Sequence, residues 1–138
     1  MGDGVLVGGP GDRIAADDLV TLLSHRELGQ RLLNVVGQST LKQLAALLSQ
    51  VDVLVSNDSG PMHLAAAVGT PVVGLFGPTN PLRNGPWNAD DVWVSRFDDC
   101  ECHHKRQCRR ETPCIDTITV AEVALMVDQR LGQGGWRG

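Results

Sequence analysis

The stretch that most constrains this chain is Val51-Asp-Val-Leu-Val-Ser-Asn-Asp-Ser-Gly-Pro-Met-His-Leu-Ala-Ala-Ala-Val68, because its character changes three times along its length. Val51, Val53, Leu54 and Val55 make a short apolar run of the kind buried in a parallel sheet. Asn57, Asp58, Ser59 and Gly60 then bring turn chemistry, so the strand is expected to end at about Ser56. Pro61 has its φ preset for a first helical turn and has no N–H to leave unpaired, and Leu64, Ala65, Ala66 and Ala67 are good helix formers. A helix is therefore expected from Gly60 or Pro61. Its first turn offers backbone N–H groups and a partial positive charge just beyond the carboxyl end of a strand, which is where open α/β sheets bind phosphorylated ligands.

The rest of the chain repeats the alternation. Val5-Leu-Val7 reads as a strand closed by Gly8-Gly-Pro-Gly11, and its position at the very start suggests a fragment of a longer protein. From Arg13, the residues Ala15, Leu19, Leu22 and Leu23 fall at helical spacing. Leu32, Leu33, Val35 and Val36 give a second strand stopped by Gly37, after which Ser39 or Thr40 can cap a helix carrying Leu41, Leu44, Ala45 and Leu48. Past the organising stretch, Val72, Val73, Leu75 and Phe76 form a further buried strand. Thr79 to Asp91 reads as loop, and Val92-Trp-Val94 as a short edge strand. Thr119 and Glu122 have capping-box spacing, and Val120, Val123, Ala124, Val127 and Leu131 trace a final helical face. Strands alternating with helices over short connections imply a parallel sheet with helices on both faces, a Rossmann-like α/β fold. One domain is expected over residues 1–131, with a disordered Gly-rich tail over 132–138.

Composition excludes several partners. A formal charge of -4 without a long basic cluster argues against nucleic acid, and Lys105, Arg106, Arg109 and Arg110 read as a solvated patch. With no Tyr, two Phe and three Trp there is no stacking platform for single strands. No apolar run approaches the ~20 residues of a membrane span, so the chain reads as cytoplasmic.

Asn57-Asp-Ser-Gly-Pro-Met-His-Leu-Ala-Ala-Ala67, followed by Gly69-Thr-Pro-Val-Val-Gly-Leu-Phe-Gly-Pro-Thr79, closely resembles the C-terminal half of glycosyltransferase family nine, the heptosyltransferases of lipopolysaccharide core assembly. The resemblance extends to Gly8-Gly-Pro-Gly-Asp12, to the segment from Gly37 to Leu48, and to a cysteine-containing loop before a final helix. It implies the C-terminal, donor-binding domain of a two-domain GT-B enzyme, here truncated. An ADP-sugar donor would bind this half, while the acceptor, lipid-linked or oligosaccharide, and the aspartate general base would belong to an N-terminal domain with no counterpart here. No catalytic residue is therefore assigned in this chain, and no cofactor is required. The full-length enzyme would lie peripherally at the inner membrane.

The resemblance places the pyrophosphate against the backbone amides of Ser59, Gly60 and Met62 and the Ser59 side chain. His63 would donate to a phosphate oxygen, and Thr79, at the end of the next strand, would contact the same donor. Asp58 repels phosphate, so it either closes the turn through backbone amides or holds a sugar hydroxyl. Asp12 falls near the expected ribose, and Ser39 lines the adenine pocket or serves only as an N-cap. A capped helix with a tight turn accounts for the same residues without any ligand.

Cys100, Cys102, Cys108 and Cys114, with His103 and His104 between them, hold enough soft ligands for zinc, but C-x-C-x5-C-x5-C is not a paired C-x2-C pattern. Free thiols are the expected state, with no metal site assigned. Two other functions compete with donor binding. A non-catalytic nucleotide-binding module would explain the missing half. A nucleotide-sugar epimerase also opens a helix on Asp-Ser-Gly, but Pro61-Met62-His63 brings none of the glutamates that such an enzyme uses.

Overall fold

The computed structural model describes residues 2–103, 105 and 107–134. The expected contributions of His104 and Arg106, and of the tail over 135–138, lie outside the described residues. Where one domain is expected, the chain forms two compact units, one up to Leu44 and one from Ala45 onward.

In the first unit, β1 (Gly4–Leu6) pairs in parallel with β2 (Leu32–Asn34), in register from Gly4 opposite Leu32 to Leu6 opposite Asn34. The crossover between them is α1 (Arg13–Leu23) followed by the single turn α2 (Glu27–Gln30). The apolar face of α1 differs from the expected one. Ala16 is buried and Val20 and Leu23 are half-buried, whereas Ala15, Leu19 and Leu22 are exposed. A sheet of two strands covers only a narrow stripe of helix, and the i, i+4, i+7 set Ala16, Val20 and Leu23 fills it. The turn from Gly8 to Gly11 packs on Gly37, whose φ of 69° and whose Cβ position, 3.1 Å from Pro10 Cα, leave room only for glycine.

Helix α3 (Leu41–Leu48) spans the division between the units. Its cap settles the choice left open by the sequence. Thr40 Oγ1 accepts the Gln43 N–H at 3.2 Å while Gln43 Oε1 accepts the Thr40 N–H at 2.9 Å, a reciprocal capping box that leaves Ser39 aside.

The second unit is a three-stranded parallel sheet in the order β3-β4-β5, with β3 (Leu54–Asn57), β4 (Val72–Phe76) and β5 (Val92–Ser95). The strands are linked by α4 (Gly60–Ala67) and the short α5 (Pro81–Asn84), and α6 (Val120–Gly134) follows β5. The core is the central strand, with Val72, Val73 and Phe76 fully buried beside Leu48, Met62 and Ala65. β3 was expected to be fully buried. It is instead an edge strand, with Leu54 and Ser56 half-buried and Val55 and Asn57 exposed. β5 is the edge strand that the sequence implied. The expected loop over Thr79 to Asp91 contains α5, because Asn80 caps it by accepting the Leu82 N–H at 2.9 Å and Pro81 starts it.

Helix α6 runs to Gly134 rather than stopping at Leu131. Its start is the Thr119–Glu122 capping box, with Glu122 also held by Arg96 Nη2 at 2.7 and 2.8 Å. Val120 and Ala124 are exposed, and the inward stripe is Val123, Met126, Val127 and Arg130. Arg130 belongs on that stripe because Asp91 meets it there. Asp91 Oδ1 accepts from Arg130 Nε and from the Val72 N–H, both at 2.9 Å, with the aspartate fully buried. Among the described residues, no helix is long and apolar enough to cross a membrane.

Candidate functional site

The β3–α4 connection lies in the second unit, at the carboxyl end of a parallel strand. Ser59 is the N-cap of α4, with extended backbone at φ -151° and ψ 166°, but its hydroxyl does not cap the helix. It pairs instead with Ser56 Oγ at 2.9 Å, and Ser56 Oγ donates to the Asn57 carbonyl. The helix therefore begins without a side-chain acceptor for its first amides. Pro61 has no N–H to satisfy. Gly60 has one, and among the described residues it has no acceptor. A Cβ placed on Gly60 meets nothing within 4 Å, so the Cα of this first helical residue is uncrowded.

Met62 differs from the expected donor. Its N–H donates to the Ser59 carbonyl at 3.1 Å and its side chain is fully buried, so it anchors the helix to the core and is not among the free amides. Ala65, one turn on, is buried on the same side. The group of open donors is thus narrower than the sequence implied, with the Gly60 N–H at its centre and the Ser59 hydroxyl, engaged with Ser56, beside it.

Asp58 does not close the turn through backbone amides. Its Oδ2 accepts from Asn84 Nδ2 at 2.8 Å, and its Oδ1 stands 3.6 Å from His63 Nε2, an ion pair when the imidazole is protonated. The His63 side chain is 41% exposed and that of Asp58 only 18%, so the imidazole faces solvent while the carboxylate sits behind it. Asn84 is the residue that sequence reasoning missed. It lies at the end of α5, and the only signal for it was the Asn80-Pro81 helix start within a segment read as loop. Thr79 is half-buried between β4 and α5 in the same unit. The structure thus gathers Asp58, Ser59, Gly60 and His63 on one turn, with Thr79 at the end of the neighbouring strand.

Asp12 and Ser39 belong to the first unit. Asp12 Oδ2 accepts the Gly9 N–H at 3.0 Å, closing the glycine-rich turn, and Ser39 is exposed. Of the cysteines, Cys100, Cys102 and Cys114 are buried together with Cys108 packed against them, and all four are free thiols. Among the described residues, no three His, Cys, Asp or Glu side chains stand in position to hold a metal ion.

A helix start with an open amide, a flanking hydroxyl and an imidazole suits an anion, and a diphosphate above all. Comparisons with known proteins bear on which one. Residues 5–113 match the family model described as glycosyltransferase family 9 (heptosyltransferase). The chain is 50% identical over 66 residues to the lipopolysaccharide core heptosyltransferase OpsX of Haemophilus influenzae, a match covering 48% of this chain and 19% of that protein. It is 29% identical over 132 residues to lipopolysaccharide heptosyltransferase 3 of Escherichia coli K12, covering 90% of this chain and 37% of that one. Solved structures match as well, two among them over nearly the whole chain. One is a family 9 glycosyl transferase from Veillonella parvula (TM-score 0.80, 28% identity, 95% of this chain and 37% of that one). The other is the E. coli ADP-heptose lps heptosyltransferase II (TM-score 0.78, 26% identity, 97% and 38%). The chain spans well under half the length of each of these proteins.

Proposed function

The chain belongs to glycosyltransferase family 9, and on that premise we propose that its β3–α4 turn binds the diphosphate of an ADP-heptose-like donor for an inverting sugar transfer in lipopolysaccharide core synthesis. The observation that carries this reading is the Gly60 amide: without an acceptor among the described residues, at the positive end of a helix, on a residue whose Cα is uncrowded. Breaking the bond between sugar and diphosphate leaves negative charge on the departing phosphate oxygens. The Gly60 N–H and a protonated His63 are donors that strengthen as that charge grows, and the Ser59 O–H, which donates to Ser56 Oγ at 2.9 Å in the free chain, would turn from it to join them. Asp58 holds His63 from behind, and Asn84 takes up the other carboxylate oxygen. Thr79 would reach the same donor from the end of β4.

The acceptor hydroxyl needs a general base. This reading assigns it, with the contacts to a lipid-linked or oligosaccharide acceptor, to parts of the protein outside this chain, so the chain alone binds donor without transferring sugar. Amides and an imidazolium take the charge, and no metal cofactor is called for. The whole enzyme would work on the cytoplasmic side, peripheral at the inner membrane.

Calorimetric titration of the folded chain with ADP, GDP and UDP tests the reading. ADP should bind in preference, should bind more weakly to Ser59→Trp and His63→Ala, and should bind equally well in the presence of a chelator. Absence of binding by any nucleotide to a folded chain would refute donor binding by this turn, and equal affinity for the three would refute the ADP assignment.

A further inference from the structure

The cysteine cluster plays no part in the reading above, and its four sulfurs are not equivalent. Cys100, Cys102 and Cys114 are 4 to 5% exposed, while Cys108 is half-buried at the rim of the cluster. Within the cluster Cys102 lies beside Cys108 and Cys100 beside Cys114, and the Cys102 N–H donates to Cys100 Sγ at 3.4 Å, so the four form one group. Solvent reaches the group through Cys108, while Cys100, Cys102 and Cys114 are shut in behind it.

Backbone donors distinguish the pairs further. The Cys108 sulfur accepts the N–H groups of Arg110 and Cys114, with the Arg110 guanidinium close by, and the Cys102 sulfur accepts the Arg109 N–H at 3.3 Å. The contacts on Cys108 favour its thiolate, and the Arg110 amide is the largest influence holding that thiol below its usual range. Cys114 goes the other way, because burial and the neighbouring Cys100 push its thiol up. A half-exposed sulfur with its charge stabilised, in contact with a buried second sulfur, has the arrangement of an attacking and a resolving thiol.

We propose that Cys108 and Cys102 form a redox-modifiable dithiol whose oxidant is a low-molecular-weight disulfide. The Cys108 thiolate attacks one sulfur of that disulfide, forming a mixed disulfide and expelling one small thiolate. Cys102 then gives up its proton and its thiolate attacks Cys108 Sγ, closing a Cys102–Cys108 disulfide and releasing the second small thiol. Two electrons pass from the protein dithiol to the small disulfide, and a reducing dithiol reverses the sequence. Cys100 and Cys114 stay reduced because the oxidant cannot reach them.

The test treats the folded chain with glutathione disulfide, blocks remaining thiols after unfolding and maps peptides by mass spectrometry. Trypsin cuts after Arg96, Lys105, Arg106 and Arg109, so a Cys102–Cys108 bond joins Phe97–Lys105 to Gln107–Arg109, and fragmentation of the joined pair tells Cys102 from Cys100 in the first peptide. The expected result is that joined pair, lost on adding dithiothreitol, with Cys100 and Cys114 still open to alkylation. Cys102→Ser should retain glutathione on Cys108, and Cys108→Ser should take up none. Iodoacetamide on the unsubstituted folded chain should label Cys108 at least about tenfold faster than the other three, a readout that needs no variant to fold. A Cys100–Cys114 bond forming first, or uniform labelling of the four, would overturn the proposal. So would a purified chain whose thiols react only after a chelator strips zinc, since the cluster would then be a metal site.

Discussion

Replacing Gly60 with alanine separates stability from binding, because the two should move in opposite directions. Gly60 is the first residue of α4, its φ is not in the positive range, and an added Cβ meets nothing within 4 Å. The folded chain therefore accepts the methyl without strain, and the unfolded chain loses the extra freedom of glycine. The expected gain is about 0.4–1 kcal/mol, toward the lower end because the position is a helix start. The same methyl stands beside the amide that the proposed diphosphate approaches. Loss of one hydrogen bond to a charged group costs about 1.5–3 kcal/mol, or roughly 12-fold to 150-fold in affinity. Urea unfolding and calorimetry with ADP on the same preparation read both quantities. A Gly60→Ala chain that is at least as stable as the parent and binds ADP equally tightly would refute close approach of phosphate to this amide. A clearly destabilised one would refute the claim that the Cα is uncrowded.

Arg130→Met should destabilise the second unit by about 3–5 kcal/mol, read as a lower urea midpoint, because it leaves the fully buried Asp91 carboxylate without its cation. Glu122, held at about 2 chiefly by Arg96 and then by Thr119, should add stability that is complete above its usual value of 4.5 and lost as the pH falls toward 2. In acid melts, Glu122→Gln should lack that segment of the pH dependence. Thr40→Ala should cost about 1 kcal/mol in thermal unfolding while Ser39→Ala costs nothing measurable, since Thr40 alone closes the capping box. His63→Ala should weaken ADP binding severalfold at low salt, and the difference should shrink in high salt as the exposed imidazole is screened.

The order of elements was legible because it rests on local chemistry. Val72 to Phe76 is an apolar run of strand length, Pro61 sits where a helix starts, and Thr119 and Glu122 have the spacing of a reciprocal cap; all three behave accordingly. What was not legible depends on neighbours distant in sequence. β3 reads as a buried run, yet it lies at an edge of its sheet and is exposed on alternate residues, because burial on both faces depends on what packs over each of them. Arg130 breaks the apolar stripe of α6 and is buried only because Asp91, 39 residues earlier, also serves the Val72 N–H. The candidate site shows the same division. The open helix start follows from Asp58-Ser-Gly-Pro61, but the engagement of Asp58 by Asn84 depends on a turn of helix in a stretch rich in Pro, Asn and Gly.

An amide left open at a helix start gives up a hydrogen bond that a capping serine would supply, and Ser59 is in the capping position. Its hydroxyl is drawn to Ser56 instead. The helix compensates on its other side, where Met62 and Ala65 are fully buried against the sheet and fix the first turn from within. The position of the Gly60 N–H is then set by core packing and does not depend on a cap, so a ligand can take the cap's place without the helix moving. Asp58 follows the same logic. A lone carboxylate here would repel a diphosphate, but Asn84 and His63 occupy its two oxygens, and its charge is spent on orienting the imidazole that faces outward. The turn keeps the Gly60 donor open and the Asp58 acceptor engaged, the polarity an incoming diphosphate requires.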